Sequence, residues 1–176
     1  MAGSTETENG WVGPPAFELP DAEMQALFTT NLAKGDSAKG QELLQLYKLQ
    51  HPDVRNRMLW LTAESDNTRR WNAQALCRLK HEQAKAPAYL YFFNWYSPVH
   101  DNRMGAYHTL DIPFVFNNVD VAASMTGASQ DRYQLAHVMS AAWAAFARSG
   151  NPNHPDMPHW PAFDPDQYPT MVFGSE

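Results

Sequence analysis

Arg103-Met104-Gly105-Ala106-Tyr107-His108-Thr109-Leu110-Asp111-Ile112-Pro113-Phe114-Val115-Phe116 places a histidine on a turn of small residues. An apolar run carrying one carboxylate, Asp111, follows directly. Upstream, across a short polar loop, lies the most strand-like segment of the chain, Tyr89 to Trp95, rich in aromatics and bounded by Pro87 and Ser97-Pro98. A strand that empties into a loop bearing a histidine is where open α/β sheets place their chemistry. A lone histidine near glycine is more often an ordinary hydrogen-bonded loop residue, so the remainder of the chain has to supply its partners.

Working outward, Asn117 to Ser129 reads as a small, polar loop, and Gln130 to Ser149 as an amphipathic helix stopped by Gly150. Its apolar positions are Leu135, Val138, Met139, Trp143 and Phe146. A proline-rich tail, Asn151 to Pro161, leads to a last strand over Thr170 to Phe173. Toward the N-terminus the chain is helical in pattern. One helix follows Pro20-Asp21, with Asp21 as its N-cap and Met24, Leu27, Phe28 and Leu32 on one face. A second starts near Ser37 and stops at His51-Pro52, and a third covers Val54 to Ala63. The fourth runs from Asp66 to about Lys85, with Trp71, Ala75, Leu76 and Leu79 as its apolar face and Arg69, Arg70, Arg78, Lys80 and Lys85 solvated. Met1 to Gly10 has two readings, a disordered polar start or a strand-exit loop with turn chemistry around paired acids.

Bulk properties remove several classes of function. At 176 residues the chain is one domain by length, long enough to bury a core. With a formal net charge of −6 and no basic stripe, nucleic acid is excluded as a partner. No apolar run approaches the ~18 residues of a membrane span, and Met1 to Gly10 has no signal-peptide pattern. The one cysteine, Cys77, allows no intrachain disulfide and leans toward a reducing, cytoplasmic compartment.

Few constellations carry chemistry. His154, Asp156 and His159 are separated by prolines and lack ligand spacing, and the pair His100 and His108 fares no better, so no metal is expected. No glycine-rich phosphate cradle occurs, and nothing calls for a cofactor. Gly127-Ala128-Ser129 matches half of a nucleophile elbow, but Asp131 stands where the closing glycine belongs, so Ser129 reads as part of the next helix's N-cap region. What remains is Glu8 and His108, the acid and base of a Ser-His-acid machine in acid-before-histidine order. The third member, a serine in Gly-x-Ser-x-Gly, does not occur in the 176 residues.

Three stretches resemble the type B carboxylesterase/lipase family, the group that includes cholinesterases. Gly3-Ser4-Thr5-Glu6-Thr7-Glu8-Asn9 is similar to its acid loop, with the catalytic glutamate falling on Glu8 and with Thr7 and Asn9 replacing the commoner Asp and Gly. Gly105 to Phe116 resembles its histidine motif, with His108 as the base and Asp111 in place of the usual Glu. Trp143 to Asn153, followed by Trp160-Pro161-Ala162-Phe163-Asp164, resembles its C-terminal signature.

The resemblance implies an α/β fold, the C-terminal part of an α/β-hydrolase. Such a piece is mostly helical with a few strands of an incomplete sheet. Residues 1–86 would hold the acid loop and helices, and residues 87–176 the strand, histidine loop, last helix and tail. It implies hydrolysis of small carboxylic esters through an acyl-enzyme. The serine and oxyanion loop would come from a missing N-terminal part of the same fold, leaving this chain inactive alone. Trp11, Phe17, Phe28 and Trp60 are candidates to line a substrate pocket, or else ordinary core. A non-catalytic esterase-like binding or scaffold module is the alternative, although such a module has no need of both Glu8 and His108.

Overall fold

A computed structural model describes residues 1–10 and 18–174. Three strands, β1 (Ala2–Thr5), β2 (Leu90–Phe93) and β3 (Thr170–Phe173), lie side by side in chain order and are parallel throughout. Parallel neighbours require long crossovers. The first crossover carries α1 (Asp21–Leu27), α2 (Ser37–Gln50), α3 (Asn56–Ser65) and α4 (Trp71–Glu82). The second carries two single-turn helices, α5 (Ile112–Val115) and α6 (Ala123–Thr126), and then α7 (Asp131–Ser149).

The strand register sets two faces. Tyr89, Phe93 and Trp95 point into the main core, where Phe114 of α5, Ala136 and Met139 of α7, Trp160 and Phe173 close around them. Leu90 faces the other way, onto Ala73 and Cys77 of α4 and Phe163. A separate core joins α1, α2 and α3 through Met24, Phe28, Leu44 and Leu59. The C-terminal signature has a structural purpose here. Asn153 accepts the Trp160 backbone N–H at 2.7 Å and donates its amide to the Trp160 carbonyl at 2.8 Å. That clamp seats the fully buried Trp160 edge-on to Tyr89 and Phe173, with ring centroids 5.8 and 5.7 Å away.

Helix starts and stops mostly follow local chemistry. Asp36 caps α2 by accepting the Lys39 N–H at 3.0 Å, and Gly150 ends α7 in the left-handed conformation, φ 76°. Of the two readings of Met1 to Gly10, the structure has the strand-exit loop, with Ala2 to Thr5 paired to β2. Several other expectations need correction. Asp21 is the first helical residue after a Pro20 cap, and its carboxylate takes the Asn56 amide at 2.9 Å instead. Ser129 does not cap α7, which starts after Gln130 without a side-chain cap. The stretch read as loop after Asn117 contains α6.

The largest correction concerns α4. Trp71 and Leu79, expected in the core, are 66% and 58% exposed, while Ala73 and Cys77 are buried. A wide π turn, Asp66–Arg70, joins α3 to α4 without breaking the rod. Trp71, Leu76 and Leu79 all lie after that turn and share one face of α4, and the face is turned away from the sheet: apolar spacing tells which residues share a face, not which face is covered. The small side chains Ala73 and Cys77 are then the ones that approach the sheet. Arg70, expected on a solvated face, has its guanidinium over the Phe92 ring, 4.3 Å from the centroid, and ion-pairs with Asp66.

Phe93→Ala is expected to lower unfolding free energy by about 3–5 kcal/mol, whereas Leu49→Ala, at a residue 78% exposed, should change it by less than about 0.5 kcal/mol. Urea titration of both variants checks the pair. Cys77 is buried, and burial pushes its thiol above the ordinary value. A thiol reagent such as dithionitrobenzoate should label it only at denaturant concentrations that unfold the chain.

Candidate active site

The loops leaving β1 and β2 meet beyond the carboxyl ends of these neighbouring strands. The Glu6 N–H extends the ladder to the Phe93 carbonyl at 3.0 Å, and the Thr7 N–H reaches the Ala106 carbonyl at 3.0 Å. In return the His108 N–H donates to the Glu8 carbonyl at 3.0 Å. The two loops are thereby stitched together by main chain before any side chain contributes. Close approach demands a glycine at 105. Gly105 has φ 66°, and a Cβ there would lie 2.5 Å from both Thr7 Oγ1 and Met58 Cε.

Into this frame the two residues singled out in the sequence, 100 positions apart, are brought within a 2.6 Å hydrogen bond, His108 Nδ1 to Glu8 Oε2. The other carboxylate oxygen, Oε1, accepts the Thr5 N–H at 2.9 Å. Their environments differ sharply: the Glu8 side chain is 8% exposed and the imidazole 49%. Tyr107 and Leu110, on either side of His108, are buried in the main core, so the loop is fastened while the ring stands at its surface. Thr109 is held at φ 70°, a left-handed conformation rare for a β-branched residue, at the point where the chain turns back into α5.

A second carboxylate lies beside the pair. Asp111 accepts the Tyr91 hydroxyl at 3.0 Å. Burial pushes the Asp111 carboxyl above its ordinary value; Tyr91 opposes that shift and the nearby Glu8 charge adds to it. The Tyr91 hydroxyl is itself pushed up, by burial first and then by Asp111, so it is a neutral donor. Gly3 makes room for the Tyr91 ring, which lies 2.3 Å from where a Cβ would sit.

Sequence reading missed the support from α3. Ser65 Oγ accepts the Glu8 N–H at 2.9 Å and donates to the Leu61 carbonyl at 2.7 Å. Asn9 donates its amide to Glu64 at 2.7 Å. No local pattern marks a serine at a helix end as a partner of a loop 57 residues away. Other candidates have different placements. Phe28 is fully buried and meets Trp60 edge-on, centroids 5.7 Å apart, so both belong to the α1–α3 core; Trp11 and Phe17 lie outside the described residues. The His154 ring bonds the Val138 carbonyl through Nε2 at 3.0 Å. Among the described residues no three His, Cys, Asp or Glu side chains are grouped to hold a metal ion, and no helix is long and apolar enough to cross a membrane.

An acid and a histidine so arranged, at the carboxyl edge of a parallel sheet, invite comparison with known hydrolases. The family model described as "Carboxylesterase family" matches residues 18–176. The chain belongs to the carboxylesterase family. It is 36% identical over 93 residues to the para-nitrobenzyl esterase of Bacillus subtilis, an alignment covering 52% of this chain and 19% of that protein. It is 35% identical over 104 residues to the phenmedipham hydrolase of Pseudarthrobacter oxydans, covering 56% of this chain and 21% of the relative. The solved carboxylesterase of Geobacillus stearothermophilus superposes with a TM-score of 0.75 at 26% identity, over 98% of this chain and 36% of that one. The α/β-hydrolase fold expected from the motifs is thus the fold of this chain. These matches span about a fifth of the curated relatives and about a third of the solved structure. The family match starts at residue 18, after Glu8.

Gly105→Ala should destabilise the chain by about 2 kcal/mol or more, because a left-handed φ and a steric overlap coincide; urea unfolding measures it. Asp111→Asn tests the buried carboxyl. A folded-state pKa above the unfolded one means that ionised Asp111 disfavours the fold, a penalty absent below 3.8 and complete once pH passes the raised value. The asparagine variant, which keeps an acceptor for Tyr91, should therefore be more stable than the parent at neutral pH. Its advantage should shrink as pH falls through the raised value and vanish below 3.8.

Proposed function

We propose that this chain is part of a carboxylic ester hydrolase that works through an acyl-enzyme, with His108 as general base and acid and Glu8 as the carboxylate that holds it. The observation that carries the reading is the 2.6 Å contact between a buried glutamate and a half-exposed histidine remote in sequence. With Nδ1–H directed at Glu8, the imidazole presents Nε2 to the reacting groups, the tautomer that a serine nucleophile requires. His108 takes the serine proton as the hydroxyl attacks the ester carbonyl. It then gives that proton to the leaving alcohol, and repeats the cycle with water to release the acid. Glu8 stabilises the imidazolium that forms at each step, and its burial keeps that attraction from being screened.

The nucleophile and the oxyanion donors are, in this reading, contributed by sequence outside these 176 residues, since no Gly-x-Ser-x-Gly occurs among them. The substrates are small carboxylic esters. A binding module without catalysis has no use for a buried carboxylate aimed at a histidine, since keeping that charge out of water is costly.

The test has two arms. The chain alone, mixed with p-nitrophenyl acetate, should give no stoichiometric burst of nitrophenol. A burst that disappears in His108→Ala would show that the nucleophile is already present, and would sink the division of labour. Joined to an upstream reading frame that encodes Gly-x-Ser-x-Gly, the polypeptide should hydrolyse the ester. In that protein His108→Ala should lower kcat on the order of 10⁴-fold or more and Glu8→Gln somewhat less. Unchanged turnover in His108→Ala ends the proposal.

A further inference from the structure

The carboxylate that holds His108 needs its own anchor. Its loop is short and polar, and it leaves β1 after Thr5. Catalytic pairs must be held to within about 0.5 Å by groups whose own positions are locked, and sites fixed to helices are more precise than sites on loops. The loop's main chain is stitched to the histidine loop, which is itself a loop. The helix α3 reaches Glu8 through Ser65.

Ser65 is 1% exposed and is the last residue of α3, immediately before the wide π turn. Its hydroxyl has one proton to give, and that proton goes to the Leu61 carbonyl at 2.7 Å, one helical turn back. The lone pairs are thereby aimed away from the helix, where one of them receives the Glu8 N–H at 2.9 Å. Each bond polarises the next. The hydrogen bonds run from the Leu61 carbonyl through the Ser65 hydroxyl to the Glu8 amide, and the side chain of the residue so fixed meets the His108 ring at 2.6 Å. An alanine would leave the Glu8 N–H buried without a partner, and the loop would have to move to find water.

We infer that Ser65 is a positioning residue of the acid–histidine pair, fixing the Glu8 backbone to α3 so that its carboxylate meets His108 at hydrogen-bond distance. The inference rests on the reading of Glu8 and His108 as acid and base, and goes beyond it by assigning a part to the helical half of the chain. A merely structural Ser65 would change stability and leave the pair as it is.

The test is proton NMR of the ¹⁵N-labelled 176-residue chain, following the His108 Nδ1 proton and its exchange with water. In the parent this proton should give a slowly exchanging downfield resonance, and Glu8→Ala should abolish it. Ser65→Ala should speed its exchange about tenfold, the consequence of an unsatisfied buried donor, while Ser65→Thr, which retains the hydroxyl, should stay close to the parent. A folded Ser65→Ala with the parent's exchange rate overturns the inference. Loss of effect in Glu8→Ala overturns the acid–base reading instead, so the two failures are separable. Should Ser65→Ala not fold, amide hydrogen exchange of the parent decides: Glu8 N–H should exchange with the slow amides of α3, and exchange as fast as an exposed loop amide overturns the inference.

Discussion

A buried carboxylate has to be compensated or it drives the chain apart, and Glu8 is compensated twice. One oxygen takes a backbone N–H and the other takes the imidazole at 2.6 Å. Charge-assisted bonds of this kind are the strong ones, and in a poorly hydrated site they are stronger still. Much of the local architecture is the scaffolding that this contact requires. The parallel register of β1 and β2 brings their exit loops to the same edge, main-chain bonds hold the loops together, and Gly105 lets Thr7 and Met58 close on the turn.

Burial on one side and exposure on the other give the pair its direction. The main core reaches up to Tyr107 and Leu110 and stops there, so the acid is enclosed and the ring is not. A second carboxylate, Asp111, has a donor of its own, Tyr91, so the two carboxyl groups have different hydrogen-bond partners. Separate environments are what allow neighbouring carboxyl groups to serve different ends. Gly3, opposite Tyr91 in the sheet register, belongs to the same arrangement because no side chain would fit beneath that ring.

The helical half contributes at the place where its regularity breaks. After the π turn at Asp66–Arg70, α4 sets small residues against the sheet, and the turn leaves Ser65 as the terminal residue of α3, bonded to the acid loop. The same turn puts Asp66 within 2.9 Å of the Tyr47 hydroxyl and Arg70 over Phe92, tying the α1–α3 core to the sheet. Wide turns inside helices often occur near functional sites, and here one lies between the second core and the acid loop.

Amino-acid order alone determined what is local. The 3.6-residue period and Gly150 marked α7, the aromatic run between prolines marked β2, and the turn of small residues marked His108 as a candidate. The motif positions also named Glu8, although composition equally allowed a disordered start. Only the tertiary structure decided the rest. Apolar spacing within α4 does not tell which of its faces meets the sheet, and Ser65 becomes a partner of Glu8 across 57 residues of chain. The contact of Glu8 with His108 spans 100 residues. Periodicity, capping and turn preferences act over a few residues, whereas these contacts exist only because the crossover from β1 to β2 and their parallel register bring distant segments to one edge of the sheet.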